Sequence, residues 1–113
     1  MTTDMYVKYT ETISLSQFGE QVKGVRAEQL FHPDEIQLYG NENKPRSLAA
    51  RWLIKQILIE NFGGDLSHTD ICITSQENGK PFLKINKEKI RNTIHFSISH
   101  SRNYISVLVL IEQ

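Results

Sequence analysis

The sequence predicts an α+β domain in which a long helix packs on an antiparallel sheet. Three observations predict it: a helical pattern from Arg46 to Phe62 closed by Gly63-Gly64, two short apolar runs, DICIT and PFLKI, flanking SQENGK, and the segments IHFSIS and YISVLVLIE joined by HSRN. Helix-period and strand-period stretches fall in separate blocks instead of alternating, which argues against a parallel sheet. The 113 residues, 39% of them hydrophobic, suit one domain over 1–113 that builds its own core without a linker.

Each element has its own signal. MYVKYTETI reads as a strand, and SLSQFGEQV carries a weak helical pattern that Gly19 and Gly24 interrupt. In HPDEIQLYG, Pro33 suits the first helical position and Asp34 and Glu35 favour the positive end of the helix dipole, so a short helix should run to about Gly40. NENKP is then a loop, and Gly63 supplies the stop just past the long helix. Between DICIT and PFLKI, Asn78-Gly79 is a hairpin signal, because a tight turn needs positive φ at its centre. IHFSIS alternates, with Ile94, Phe96 and Ile98 on one face and His95, Ser97 and Ser99 on the other, and YISVLVLIE is apolar enough to lie mid-sheet.

Composition excludes several classes. With 13 Lys plus Arg against 13 Asp plus Glu, no global field favours nucleic acid or an anionic membrane, and any anion site must be local. Cys72 is the single cysteine, and its setting in DICIT reads as a strand interior rather than a metal cluster. The start MTTDMYVKYT lacks a secretory pattern and no run is long enough for a membrane span, so a cytoplasmic protein is expected.

Placed at helical intervals, Ala49, Ala50, Leu53, Ile54, Ile57 and Leu58 cover one continuous apolar arc, with Arg51 and Lys55 together opposite it. Gln56 and Glu60 fall at the edge of that arc, where Leu or Ala would be ordinary. Border polar residues facing solvent or a neighbouring subunit are one explanation, and a functional edge is the other. In the tail, His95, Ser97, Ser99, His100 and Ser101 bring hydroxyls, imidazoles and backbone N–H groups to a strand end of a kind that holds phosphate.

The order LAARWLIKQ, DICITSQENGKPFL, IHFSISHSRNYISVLVLIE resembles the holo-acyl-carrier-protein synthase branch of the 4′-phosphopantetheinyl transferase superfamily, which shows a helix LAxRxxxKEAxxK, an NGKP hairpin and a strand ending HxSI(S/T)H. The likeness runs from about Ala27 to Glu112 and includes AEQLFHPDEIQLY before the helix. It implies a compact domain, assembled as a homotrimer with active sites between neighbours, that moves the phosphopantetheine arm of coenzyme A to a serine of an acyl carrier protein. The implied magnesium ion sits on the diphosphate and requires carboxylates. By the same resemblance Lys55 and Gln56 stand at the catalytic positions, with Gln56 as a charge-poor metal ligand. Arg51, Gly79, Lys80, Pro81, Ser99, His100 and Ser101 line the coenzyme A site.

The chain departs from the family at the metal half. The family's N-terminal GxD is absent, with Tyr9 or Thr10 where its Asp would fall; the KE pair reads Lys55-Gln56; and the next lysine is Glu60. Asp4 or Glu11 is the expected substitute carboxylate. Two functions follow: a divergent transferase, or a non-catalytic homologue that binds a carrier protein, a nucleotide or another subunit.

Overall fold

Ser14 ends the first strand and starts the first helix. The structure, a computed structural model, describes residues 5–40, 44–75, 80–85 and 90–113. Strand β1 spans Tyr6–Ser14, and the Ser14 side chain then accepts the Gln17 backbone N–H while the Gln17 side chain accepts that of Ser14. This reciprocal cap satisfies two otherwise orphaned donors and launches α1, Leu15–Gln21, with Phe18 buried. Its ring meets that of Trp52 at 5.7 Å.

A four-residue helix α2, Ala27–Leu30, was not anticipated, because one turn is too short to carry a period. Helix α3, Pro33–Glu35, begins as expected, with Pro33 at its start and His32 as its cap. Over Ile36–Gly40 the winding widens to a π-helical turn, which carries Tyr39 into the interior. The long helix α4 is Pro45–Phe62, and Gly63, at φ 55°, stops it. A 3₁₀ turn, His68–Asp70, leads into β2, Ile71–Ser75, followed by β3, Pro81–Ile85, β4, Ile94–His100, and β5, Tyr104–Glu112. The turn expected at Asn78-Gly79 lies outside the described residues, and the flanking β2 and β3 pair antiparallel with Ser75 opposite Pro81.

One expectation is refined. The strands form two sheets: β1-β5-β4, with β5 central as its apolarity required, and the separate pair β2-β3. The core lies between the larger sheet and α4, where Ala49, Ile54, Leu58, Ile105 and Val109 are wholly or almost wholly buried. β4 alternates as its sequence implies, Phe96 opposite Val109 on the core side and Ser97 opposite Leu108 on the other.

The arc assigned to α4 is corrected: from Ala49 to Leu58 every residue but Gln56 is buried, Arg51 and Lys55 included. The face opposite the sheet is covered by the segment around Leu30 to Tyr39 and by β2, so the two cations are internal.

Candidate functional site

Gln56 and Glu60 share a cavity of about 350 Å³ between α4, α1 and β1. Leu53 and Ile57 supply apolar wall, and Gln17, Gln21 and Glu11 supply polar edge. Glu11 pairs with Val107, so it belongs to the core-facing side of β1, yet it is exposed, β1 being an edge strand of its sheet. Of the neighbouring positions, Tyr9 packs against the core and Thr10 pairs with Leu108 on the other face, whereas Glu11, one of the two carboxylates expected from the sequence, lines the cavity at the helix edge. Asp4 lies outside the described residues.

Gln56 has a partner that sequence reasoning missed. His68 Nε2 lies 2.5 Å from Gln56 Oε1, the ring delivered by the 3₁₀ turn just after α4. Burial, with a further contribution from the Lys55 charge, pushes the His68 pKa down and favours the neutral imidazole. A single histidine in a polar stretch, SHTD, carries no period that would have revealed it.

Lys55 is not brought to this cavity. It is fully buried, where its Nζ donates to Glu35 Oε1 in a very short ion pair and to the Leu30 carbonyl at 3.0 Å, and lies over the Phe31 ring at 5.1 Å. Burial lowers its pKa and the Glu35 carboxylate opposes that shift. Arg51, only 6% exposed, is equally committed: Nε donates to the Ile73 carbonyl at 2.8 Å, a terminal nitrogen to Tyr39 Oη at 2.7 Å, and the guanidinium stacks on the Tyr39 ring at 3.8 Å. The π-helical turn puts Tyr39 there, and Tyr39 Oη also meets Ser75 Oγ at 3.2 Å.

Ser99, His100 and Ser101 do come together, lining a shallow cavity of about 250 Å³ with Tyr104 and Ser106. The expected free N–H at this strand end is corrected for Ser101, whose N–H donates to the Tyr104 carbonyl at 2.9 Å because the turn must close. Arg46, the first arginine of α4, reaches the Ser101 carbonyl at 3.4 Å and adds a cation that periodicity does not single out. Pro81 opens β3 with Lys80 just before it, both exposed, and Gly79 lies outside the described residues.

The two cavities adjoin across the larger sheet, where Thr12 of one and Ser106 of the other share a 2.7 Å hydroxyl contact. Along α4, Gln56 stands ten residues from Arg46, or about 15 Å at the helical rise. Cys72 occupies a strand interior as expected, although its Sγ and the ligand atoms of His32 and Asp34 lie within 4.8 Å of one another. His32 Nδ1 there already accepts the Asp34 backbone N–H at 3.1 Å.

A long helix against an antiparallel sheet, with one cavity edged by carboxylates and another lined by a Ser-His-Ser strand end, defines a class of small α+β proteins. Residues 28–110 match the family model described as "4'-phosphopantetheinyl transferase, N-terminal". A holo-[acyl-carrier-protein] synthase of Streptococcus uberis is 34% identical over 83 residues, covering 71% of this chain and 69% of the relative. That of Bacillus pumilus is 31% identical over 98 residues, covering 83% and 76%. Among solved structures, the Helicobacter pylori holo-[acyl-carrier-protein] synthase in complex with coenzyme A superposes with a TM-score of 0.75 at 23% identity, covering 93% of this chain and 99% of that one. The chain belongs to the 4′-phosphopantetheinyl transferase superfamily, in its holo-acyl-carrier-protein synthase branch, as the resemblance of its motifs implies.

Proposed function

We propose that this protein transfers 4′-phosphopantetheine from coenzyme A to a serine of an acyl carrier protein, in the cytoplasm, for fatty acid or polyketide synthesis. The observation that carries the reading is the placing of Glu11 on the cavity of Gln56: a strand carboxylate faces the helix edge although the GxD motif is missing. Family membership and relatives named for this reaction support it.

Magnesium, when bound with the coenzyme A diphosphate, neutralises charge that would repel the incoming serine oxygen. Glu11 and Glu60 are the residues that would hold it; both carboxylates line one cavity and suit a hard cation, whereas Gln56 brings no charge. Fewer fixed charges than the family pattern imply weak binding of the metal alone, so the diphosphate completes the site. Ser99, His100 and Ser101, with Arg46 beside them, offer hydroxyl, imidazole and guanidinium groups to the nucleotide phosphates, and Lys80 and Pro81 provide an exposed wall at the start of β3. Arg51 and Lys55 act from within the fold, one holding β2 and the other α3, rather than on the substrate.

The reading includes a homotrimer with sites between neighbours. Within one chain the Gln56 and His100 groups line different cavities, an arrangement compatible with a site completed by a neighbouring subunit. The outer face of the larger sheet also carries half-buried Leu108, between Thr10 and Ser97, and Leu110, between Lys8 and His95, a surface fit for packing against a copy of itself. Among the described residues no helix is long and apolar enough to cross a membrane.

The second reading, a non-catalytic binding module, draws on the uncharged Gln56 and the occupied Arg51 and Lys55. Incubation with coenzyme A, magnesium and candidate carrier proteins separates the two. A carrier that gains the mass of the phosphopantetheine arm is the expected result, and coenzyme A binding without mass gain on any carrier supports the binding module.

A further inference from the structure

Gln56 reaches its cavity with one end of its amide already engaged. Its Oε1 faces His68 Nε2 at 2.5 Å, and because a carbonyl oxygen can only accept, Nε2 carries the hydrogen whether the ring is neutral or charged. The turn that delivers the ring is itself tied down. Asp70 Oδ2 accepts the Ser67 N–H at 2.8 Å and the Ser67 hydroxyl at 3.1 Å, and the Asp70 N–H returns to the Ser67 carbonyl at 3.1 Å. With its oxygen turned to His68, Gln56 is left with its NH₂, two donors, for the cavity edged by Glu11 and Glu60.

This changes what the position offers a ligand. An amide oxygen aimed into a cavity with two carboxylates would add a third negative dipole against a diphosphate, whereas an NH₂ attracts it. We propose that His68 is a positioning residue that holds the Gln56 amide with its NH₂ toward the cavity, so that Gln56 donates a hydrogen bond to a phosphate oxygen of coenzyme A. The inference rests on the transferase reading and assigns Gln56 a contact with the substrate instead of with the metal.

The test combines side-chain NMR of the wild-type protein with kinetics. The ¹⁵N spectrum of His68 should show hydrogen on Nε2 and a bare Nδ1 above neutral pH, and the Gln56 NH₂ signals should shift with coenzyme A but barely with magnesium alone. His68→Phe should raise KM for coenzyme A about tenfold, the loss of one well-placed bond to a charged acceptor, with kcat within about twofold. His68→Gln, which puts an amide donor near the place of Nε2, should recover most of that loss, and neither variant should move the thermal midpoint as much as a core substitution does. A bare Nε2, a Gln56 NH₂ unmoved by coenzyme A that binds in calorimetry, or a His68→Phe with unchanged KM overturns the proposal. Coenzyme A that does not bind the wild-type protein at all removes the transferase reading together with this contact, whereas binding with an unmoved Gln56 NH₂ removes the contact alone.

Discussion

Glu35 spends both carboxylate oxygens inside the protein. One accepts Lys55 Nζ and the His32 backbone N–H, and the other accepts the Ile73 N–H at 3.0 Å, while Arg51 Nε takes the Ile73 carbonyl. Both backbone groups of Ile73 are therefore held by charged side chains, which locks β2 onto α3 and α4. Replacing one buried partner leaves the other charge without water or counterion, so Lys55→Met should destabilise by about 3 to 5 kcal/mol in urea unfolding. The double variant Lys55→Met with Glu35→Gln should lose less than the sum of the two singles. Cys72 makes a second prediction. Burial first, then the Glu35 and Asp34 carboxylates, raises its thiol pKa above the ordinary 9.0. Its contribution to stability is thus complete below that ordinary value and is lost as pH rises through the raised folded value. Native Cys72 should react with maleimide at least about tenfold more slowly than in unfolding urea, because the thiolate is the nucleophile.

At the scale of elements, α1 shows how a cap serves a site. Gln17 closes the box with Ser14 and also edges the cavity of Gln56. Ser14→Ala should cost about 1 kcal/mol in thermal or urea unfolding, and it should also loosen Gln17, visible as broadened side-chain NH₂ signals. Most elements were legible from local chemistry: Pro33 at a helix start, Gly63 at a helix end, the two-residue alternation of Ile94–His100. The exceptions have physical causes. Ala27–Leu30 is one turn, below the length at which periodicity speaks, and the widening at Ile36–Gly40 answers to Tyr39 reaching Arg51 rather than to any local preference.

Across the whole molecule, the Gln56 and His100 groups line two separate cavities. If neighbours combine them, a variant damaged in the Gln56 cavity and one damaged at His100 should rescue each other when co-refolded. Random mixing restores about one quarter of the sites, since two independent wild-type halves must meet. Light scattering should report a trimer, and a stable monomer together with failed rescue would confine any site to one chain.

By itself the sequence determined the α+β class, the order and nearly all the bounds of the long helix and strands, and the family, because these depend on spacing, caps and motifs that are local in the chain. It also marked Gln56 and Glu60 as misplaced polar residues and His100-Ser101 as a converging end. Only the tertiary structure decided that Arg51 and Lys55 are internal, that Glu11, one of the two carboxylates the sequence offered, lines the cavity at the helix edge, and that His68 stands behind Gln56. The reason is range: whether a cation is free or buried depends on what packs over it, and Glu35 lies 20 residues from Lys55, Ile73 22 residues from Arg51. No pattern within α4 carries that information; it appears when the chain closes on itself.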